Sequence, residues 1–189
     1  GLVSTAEYAG ASAVLSAAAL TYVAAFLIQT YNVPLAEVAP ALSVVALGML
    51  IGVVAGGPLT TRRFRLKVCA AAQAATGLVG LALFGTSPGF LASAVVSGVL
   101  GFFTSIGRPT ILFLVMDVAP ESRGTMSGLY AASNQSATVA GAALGGLLIG
   151  LGGYPALGVL ALATGLAGAI VAGWLIGEKR SVEAVRQKP

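Results

Sequence analysis

Histidine is absent from these 189 residues, cysteine occurs once, as Cys69, and charged residues make up only 8%. Each scarcity removes a class of function. Without histidine no Ser–His–Asp or Cys–His set can be assembled. A lone cysteine excludes a disulfide within the chain and disfavours a protein-built metal site, so neither metal nor cofactor is expected. The carboxylates Glu7, Glu37, Asp117 and Glu121 lie near the ends of apolar runs, and no pair of them has a plausible shared pocket for acid–base work. Catalysis is therefore not expected. A soluble domain carries about 25% charged residues. So few charges could not cover a water-facing surface, which makes the chain an integral membrane protein. Aromatics are also few (7%), whereas 26 glycines and many alanines suit closely packed membrane helices better than a lipid-facing barrel.

What is present is a succession of apolar runs. A membrane-spanning helix needs roughly 20 predominantly apolar residues. Six runs meet that length, at about 8–31, 39–60, 66–86, 89–117, 122–151 and 156–177, followed by a tail at 178–189. The breaks carry turn signals such as "YNVPLAEVAP", "GTSPG" and "GLGGYP". No run alternates with period two, so all six read as helices and the chain as one all-α membrane unit. The opening "GLVSTAEYAG" has no initiating methionine and no basic leader, so a fragment or processed chain is expected rather than a secretory signal.

Basic residues are unevenly placed. Arg62, Arg63, Arg65 and Lys67 follow the second run, Arg123 the fourth, and Lys179, Arg180, Arg186 and Lys188 the sixth; the alternate connections hold none. This asymmetry predicts that both termini are cytoplasmic. It also accounts for the net charge of +4 without a nucleic-acid partner.

The tenth basic residue is the exception. Arg108, in "TSIGRPTIL", is the only charge between Gly89 and Met116. At 100° per residue it shares a small, polar stripe with Ser97, Gly101, Thr104 and Ser105, opposite Val99, Phe102 and Phe103. Nine residues separate it from Asp117, about 13 Å of helix. An arginine at such depth costs at least a few kcal/mol and marks a cavity or pathway, or else holds helices together by bonding backbone carbonyls. Pro109 cannot donate to the Ser105 carbonyl, so a kink is expected there. The fifth run has a comparable stripe of Ser127, Tyr130, Asn134, Thr138, Gly141 and Gly145, and the first places Tyr22 and Gln29 on one face. The glycine spacing of the second run (Gly48, Gly52, Gly56) and of "GAALG" supports close helix packing.

Two stretches carry a resemblance. "GGPLTTRRFRLKV" (Gly56 to Val68) resembles the loop motif of the major facilitator superfamily. Gly57, Leu59, Arg62 and Arg65 match, while Thr61 stands at the aspartate position and Phe64 at the second glycine. "APESRGTMSGLYAASNQSATVAGAALGGLLIGLGGYPALG" (Ala119 to Gly158) looks like the connection and glycine-rich helix late in that family, most similar to drug and sugar efflux members.

The resemblance implies one six-helix half, the carboxy-terminal one, of a twelve-helix secondary transporter, each half built as a 3+3 inverted repeat. It implies efflux of a small molecule by alternating access, in a bacterial inner membrane, with a second six-helix half in the same polypeptide, a separate chain or a homodimer. On a cavity-lining fourth helix Arg108 would offer positive charge to an anionic substrate or tune a carboxylate of the missing half, with Tyr22, Gln29 and Asn134 as further cavity candidates. Arg62, Arg65, Asp117 and Arg123 would belong to a cytoplasmic gate. The alternative from a different class is a non-transporting scaffold or assembly subunit that keeps the half-transporter fold.

Overall fold

The computed structural model describes residues 20–59, 65–112 and 120–186. Among them run five helices: α1 (Leu20–Tyr31), α2 (Leu35–Leu59), α3 (Arg65–Thr86), α4 (Phe90–Ile106) and α5 (Arg123–Arg186), the last preceded by a 3-10 turn at Pro120–Ser122. Four apolar stretches, Leu35–Pro58, Lys67–Thr86, Phe90–Leu112 and Arg123–Gly173, are long enough to cross a membrane. No described residue forms a strand.

α2 starts at Leu35, four residues before the expected 39. The Glu37 N–H closes on the Pro34 carbonyl at 3.0 Å, so the helix begins directly after that proline. Pro40 then sits inside it and forgoes one backbone bond near the N-terminus.

α5 is not one rod. Sixty-four residues of straight helix would span about 96 Å, but Gly153 interrupts the run at φ 69°, ψ −165°. That backbone region is open essentially only to glycine. A Cβ placed on Gly145 would lie 3.3 Å from the Leu157 side chain, whereas twelve residues of continuous helix would separate them by about 18 Å. The run therefore folds back at Gly153 into a first limb (123–152) and a second limb (154–186).

Small residues decide the pairing. Gly48, Gly52 and Gly56 of α2 press in turn on the backbone of Gly98, Phe102 and Ile106 of α4. Both series ascend together, so α2 and α4 run parallel. α3 packs on the second limb in the opposite sense: Gln73 faces Gly165 and Gly168, Gly77 faces Ala161, and Phe84 faces Gly158. α1 lies parallel to the first limb, with the Tyr22 ring against Gly145 and its hydroxyl donating to the Ala142 carbonyl at 2.5 Å.

The larger core gathers at the Gly153 end. Val23, Phe26, Leu27, Leu83, Phe84, Leu100 and Leu157 are almost fully buried there. Phe26 packs edge-on against Tyr31, Phe84 and Tyr154, with ring centroids 5.1–5.9 Å apart. At the opposite end, where α2 stops and α3 begins, Cys69, Ile111 and Ala172 form a second buried cluster among the described residues. The outside is apolar: Leu47, Leu50, Ile51 and Val54 on α2, Leu91 and Val95 on α4, and Leu144, Leu147 and Leu151 on the first limb are all exposed. Such a surface belongs in lipid or against another protein.

Candidate functional site

The polar stripe of α4 is spent mostly on packing. Ser93, Ser97, Thr104 and Ser105 are buried. Ser97 Oγ donates to the Ser93 carbonyl at 2.7 Å, and Thr104 Oγ1 bonds the Leu100 and Gly101 carbonyls at 3.0 and 2.9 Å, so these two are satisfied within their own helix. Ser93 Oγ pairs with the Tyr31 hydroxyl, and Ser105 Oγ has no partner among the described residues. Gly101 is pressed on α2, where a Cβ would come within 2.7 Å of the Val45 carbonyl. Instead of a wet wall, this face is a helix contact.

The stripe surfaces at Arg108. α4 ends at Gly107, whose N–H turns to the Ser105 carbonyl that Pro109 cannot serve. The chain then resumes a helical turn at 108–112, held by the Ile111 N–H on the Gly107 carbonyl at 3.1 Å. Arg108 projects from this break and is exposed. It has no ion-pair partner among the described residues.

Packing also fixes its depth. Gly56 abuts Ile106, so Arg108 is level with the last residues of α2, which ends at Leu59. On the other side the Cys69 thiol points to the Gly107 carbonyl, Sγ to O 4.0 Å, only four residues after α3 begins at Arg65. Arg108 thus lies about one turn from the ends of two neighbouring helices, shallower than its distance from Asp117 suggests. A guanidinium on its three-carbon stem spans that gap.

Its neighbour across the gap is the first limb. Tyr130 is half-buried and packs with Met126 against Cys69, Ile111 and Ala172. Asn134 follows one turn later, also half-buried, its carbonyl taking the Thr138 hydroxyl at 2.8 Å. The structure therefore places Tyr130 on the cluster that holds Ile111, three residues after Arg108. Tyr130 was visible in the sequence only as part of a stripe, four residues before Asn134.

Tyr22 and Gln29 lie elsewhere. Tyr22 is occupied as a joint to Ala142 and Gly145. Gln29 Oε1 accepts the Tyr154 hydroxyl at 2.8 Å, at the Gly153 end. Of the expected gate residues, Arg65 opens α3 and Arg123 opens α5, exposed, both at the Arg108 end. Arg62 and Asp117 fall outside the described residues. No group of three metal-ligating side chains occurs among the described residues.

The family model of the Major Facilitator Superfamily matches residues 8–188, nearly the whole chain. No curated protein and no solved structure matches it.

Proposed function

The chain belongs to the major facilitator superfamily, a family of transporters, and we propose that it is one six-helix half of an exporter working by alternating access. In this reading the two limbs of α5 are separate membrane crossings, giving six. The half rocks against a second six-helix half around a site between them.

The observation that carries this is an exchange symmetry in the packing. A 3+3 inverted repeat relates helix one to four, two to five and three to six. The α2 contact with α4 then corresponds to the contact of the first limb with α1. Both pairs are parallel and both meet at glycines, Gly48, Gly52 and Gly56 on the α4 backbone in one and Gly145 and Gly146 on the Tyr22 side chain in the other. The α3 contact with the second limb maps onto itself, and it is the antiparallel one. An unrelated bundle has no reason to repeat its contacts under that exchange.

A firm tie at one end fits the same mechanism. The Gly153 end is tied by aromatic rings and by the Tyr31–Ser93 and Gln29–Tyr154 bonds. By the positive-inside pattern the Arg108 end is the cytoplasmic one. Arg108 and Asn134 are then at the cytoplasmic mouth of the central cavity, with Arg65 and Arg123 in the gate beside them. Efflux is taken from the likeness of Ala119–Gly158 to efflux members.

Native mass spectrometry of protein extracted from its own membrane tests the architecture. One longer chain, a complex with a second six-helix chain, or a dimer of this chain is the expected result. A chain that stays alone, or that joins several unrelated subunits, would overturn it in favour of a scaffold. Proteoliposome flux, with Arg108→Ala as the variant, then tests transport itself.

A further inference from the structure

We propose that the last turn of α1, residues 29–31, is a strap that keeps the helix ends at the Gly153 end moving as one body. It bonds two other helices at once. The Tyr31 hydroxyl pairs with Ser93 Oγ at 2.7 Å and accepts the Gly89 N–H at 3.2 Å, both at the start of α4. Two residues earlier, Gln29 Oε1 accepts the Tyr154 hydroxyl at 2.8 Å, where the second limb begins. These partners lie 62, 58 and 125 residues away in the chain, so nothing local imposes the bonds.

Tyr31 also closes the start of α4. That helix begins at Gly89, which has no side chain to serve as a cap. In a capping box the N-cap N–H is bonded by a side chain of the same helix. Here the bond comes from α1. Ser93 is fully buried, so water cannot replace its pairing with Tyr31. The Tyr31 ring is held edge-on to Phe26 and Phe90, with centroids 5.9 and 6.1 Å away.

The backbone marks the same place. Among the described residues, positive φ occurs at Asn32, Ser87, Gly89 and Gly153. Asn32 follows Tyr31, Ser87 and Gly89 lie in the turn that Tyr31 bonds, and Gly153 precedes Tyr154. Left-handed backbone at a residue such as Ser87 persists only where its surroundings hold it. One helical turn thus pins three chain reversals. In a transporting half, α1 and α4 then swing together at this end, and opening there falls between halves instead of between these helices. The strap is a property of the packing, whether or not the chain moves a substrate.

Electron paramagnetic resonance distances between paired nitroxide labels, in lipid bilayers and on a full-length Cys69→Ala chain, test the strap. One pair sits at the exposed Leu35 and Leu91, the other at Leu35 and the exposed Leu151. Each pair should give one narrow distance in the parent chain. Tyr31→Phe, which keeps the ring, should lose the narrow distance of the first pair, and Gln29→Leu that of the second. Ser93→Ala removes the Tyr31 bond from the α4 side and should match Tyr31→Phe; it decides the matter if Tyr31→Phe does not fold. A broad or double distance in the parent chain, or narrow distances that survive in the folded variants, would overturn the strap.

Discussion

Gly52 offers the sharpest test of the packing. A Cβ built there would fall against the Phe102 carbonyl of α4, closer than any real side chain approaches backbone. Because the obstacle is main chain, no rotamer change relieves it, and α2 and α4 must separate along the stripe. Overpacking of this kind costs up to about 3 kcal/mol, while the better helix propensity of alanine returns at most about 1 kcal/mol. Gly52→Ala should therefore lose about 2 kcal/mol net. The control is Gly57→Ala in the same helix, where a Cβ meets nothing within 4 Å. That variant should be neutral or slightly stabilised. Far-ultraviolet circular dichroism during unfolding in a fixed detergent measures both. Equal stability of the two variants would refute the parallel glycine contact, and with it the exchange symmetry between the two halves of the bundle.

Gly153→Ala should cost about 1–3 kcal/mol, because alanine cannot adopt φ 69°, ψ −165° without strain; the same unfolding assay reads it, and an unchanged midpoint would deny the reversal of α5. Gln73 is 6% exposed and its Nε2 has no acceptor. Gln73→Leu should accordingly raise stability by about 1 kcal/mol by removing a stranded donor; a loss of stability would mean that the amide has a partner in the membrane. Cys69 is 0% exposed, so maleimide should label it only after denaturation. Rapid labelling of the native protein would show that the small cluster around it opens readily.

Much of the fold was legible because membrane helices announce themselves by length and apolar character. Glycine spacing in α2 signalled a close contact, but its partner was not readable. Gly48 fits α4 only because both helices run the same way, and direction relative to a distant helix leaves no local mark. The α4 stripe misled for a related reason. A serine or threonine that bonds its own backbone four residues back looks, in sequence, the same as one facing water. Ser97 and Thr104 are of this kind, while Arg108, three carbons longer and placed after a glycine break, escapes to the surface. Tyr22 and Gln29 shared a helical face, yet one reaches Ala142 and the other Tyr154, over separations of 120 and 125 residues. Periodicity groups side chains on a face without saying what that face meets. The start of α2 differs because all of "YNVPLAEVAP" reads as a break, whereas only residues 32–34 interrupt the helices.

Those long separations also set an order of assembly. α1 packs on α3 through Phe26 and Phe84 and joins Ser93 by its last turn, but its Tyr22 and Gln29 contacts lie in α5, at Ala142 and Tyr154. As synthesis proceeds, α2 and α4 can join as soon as α4 enters the bilayer, but the Tyr22 contact of α1 must wait for Gly145 to be made. Closing so long a loop is slow, though its entropic cost grows only logarithmically. Until then the Tyr22 hydroxyl stands in lipid without its acceptor. A nascent chain halted before the α5 hairpin therefore carries α1 with its Tyr22 contact unmade.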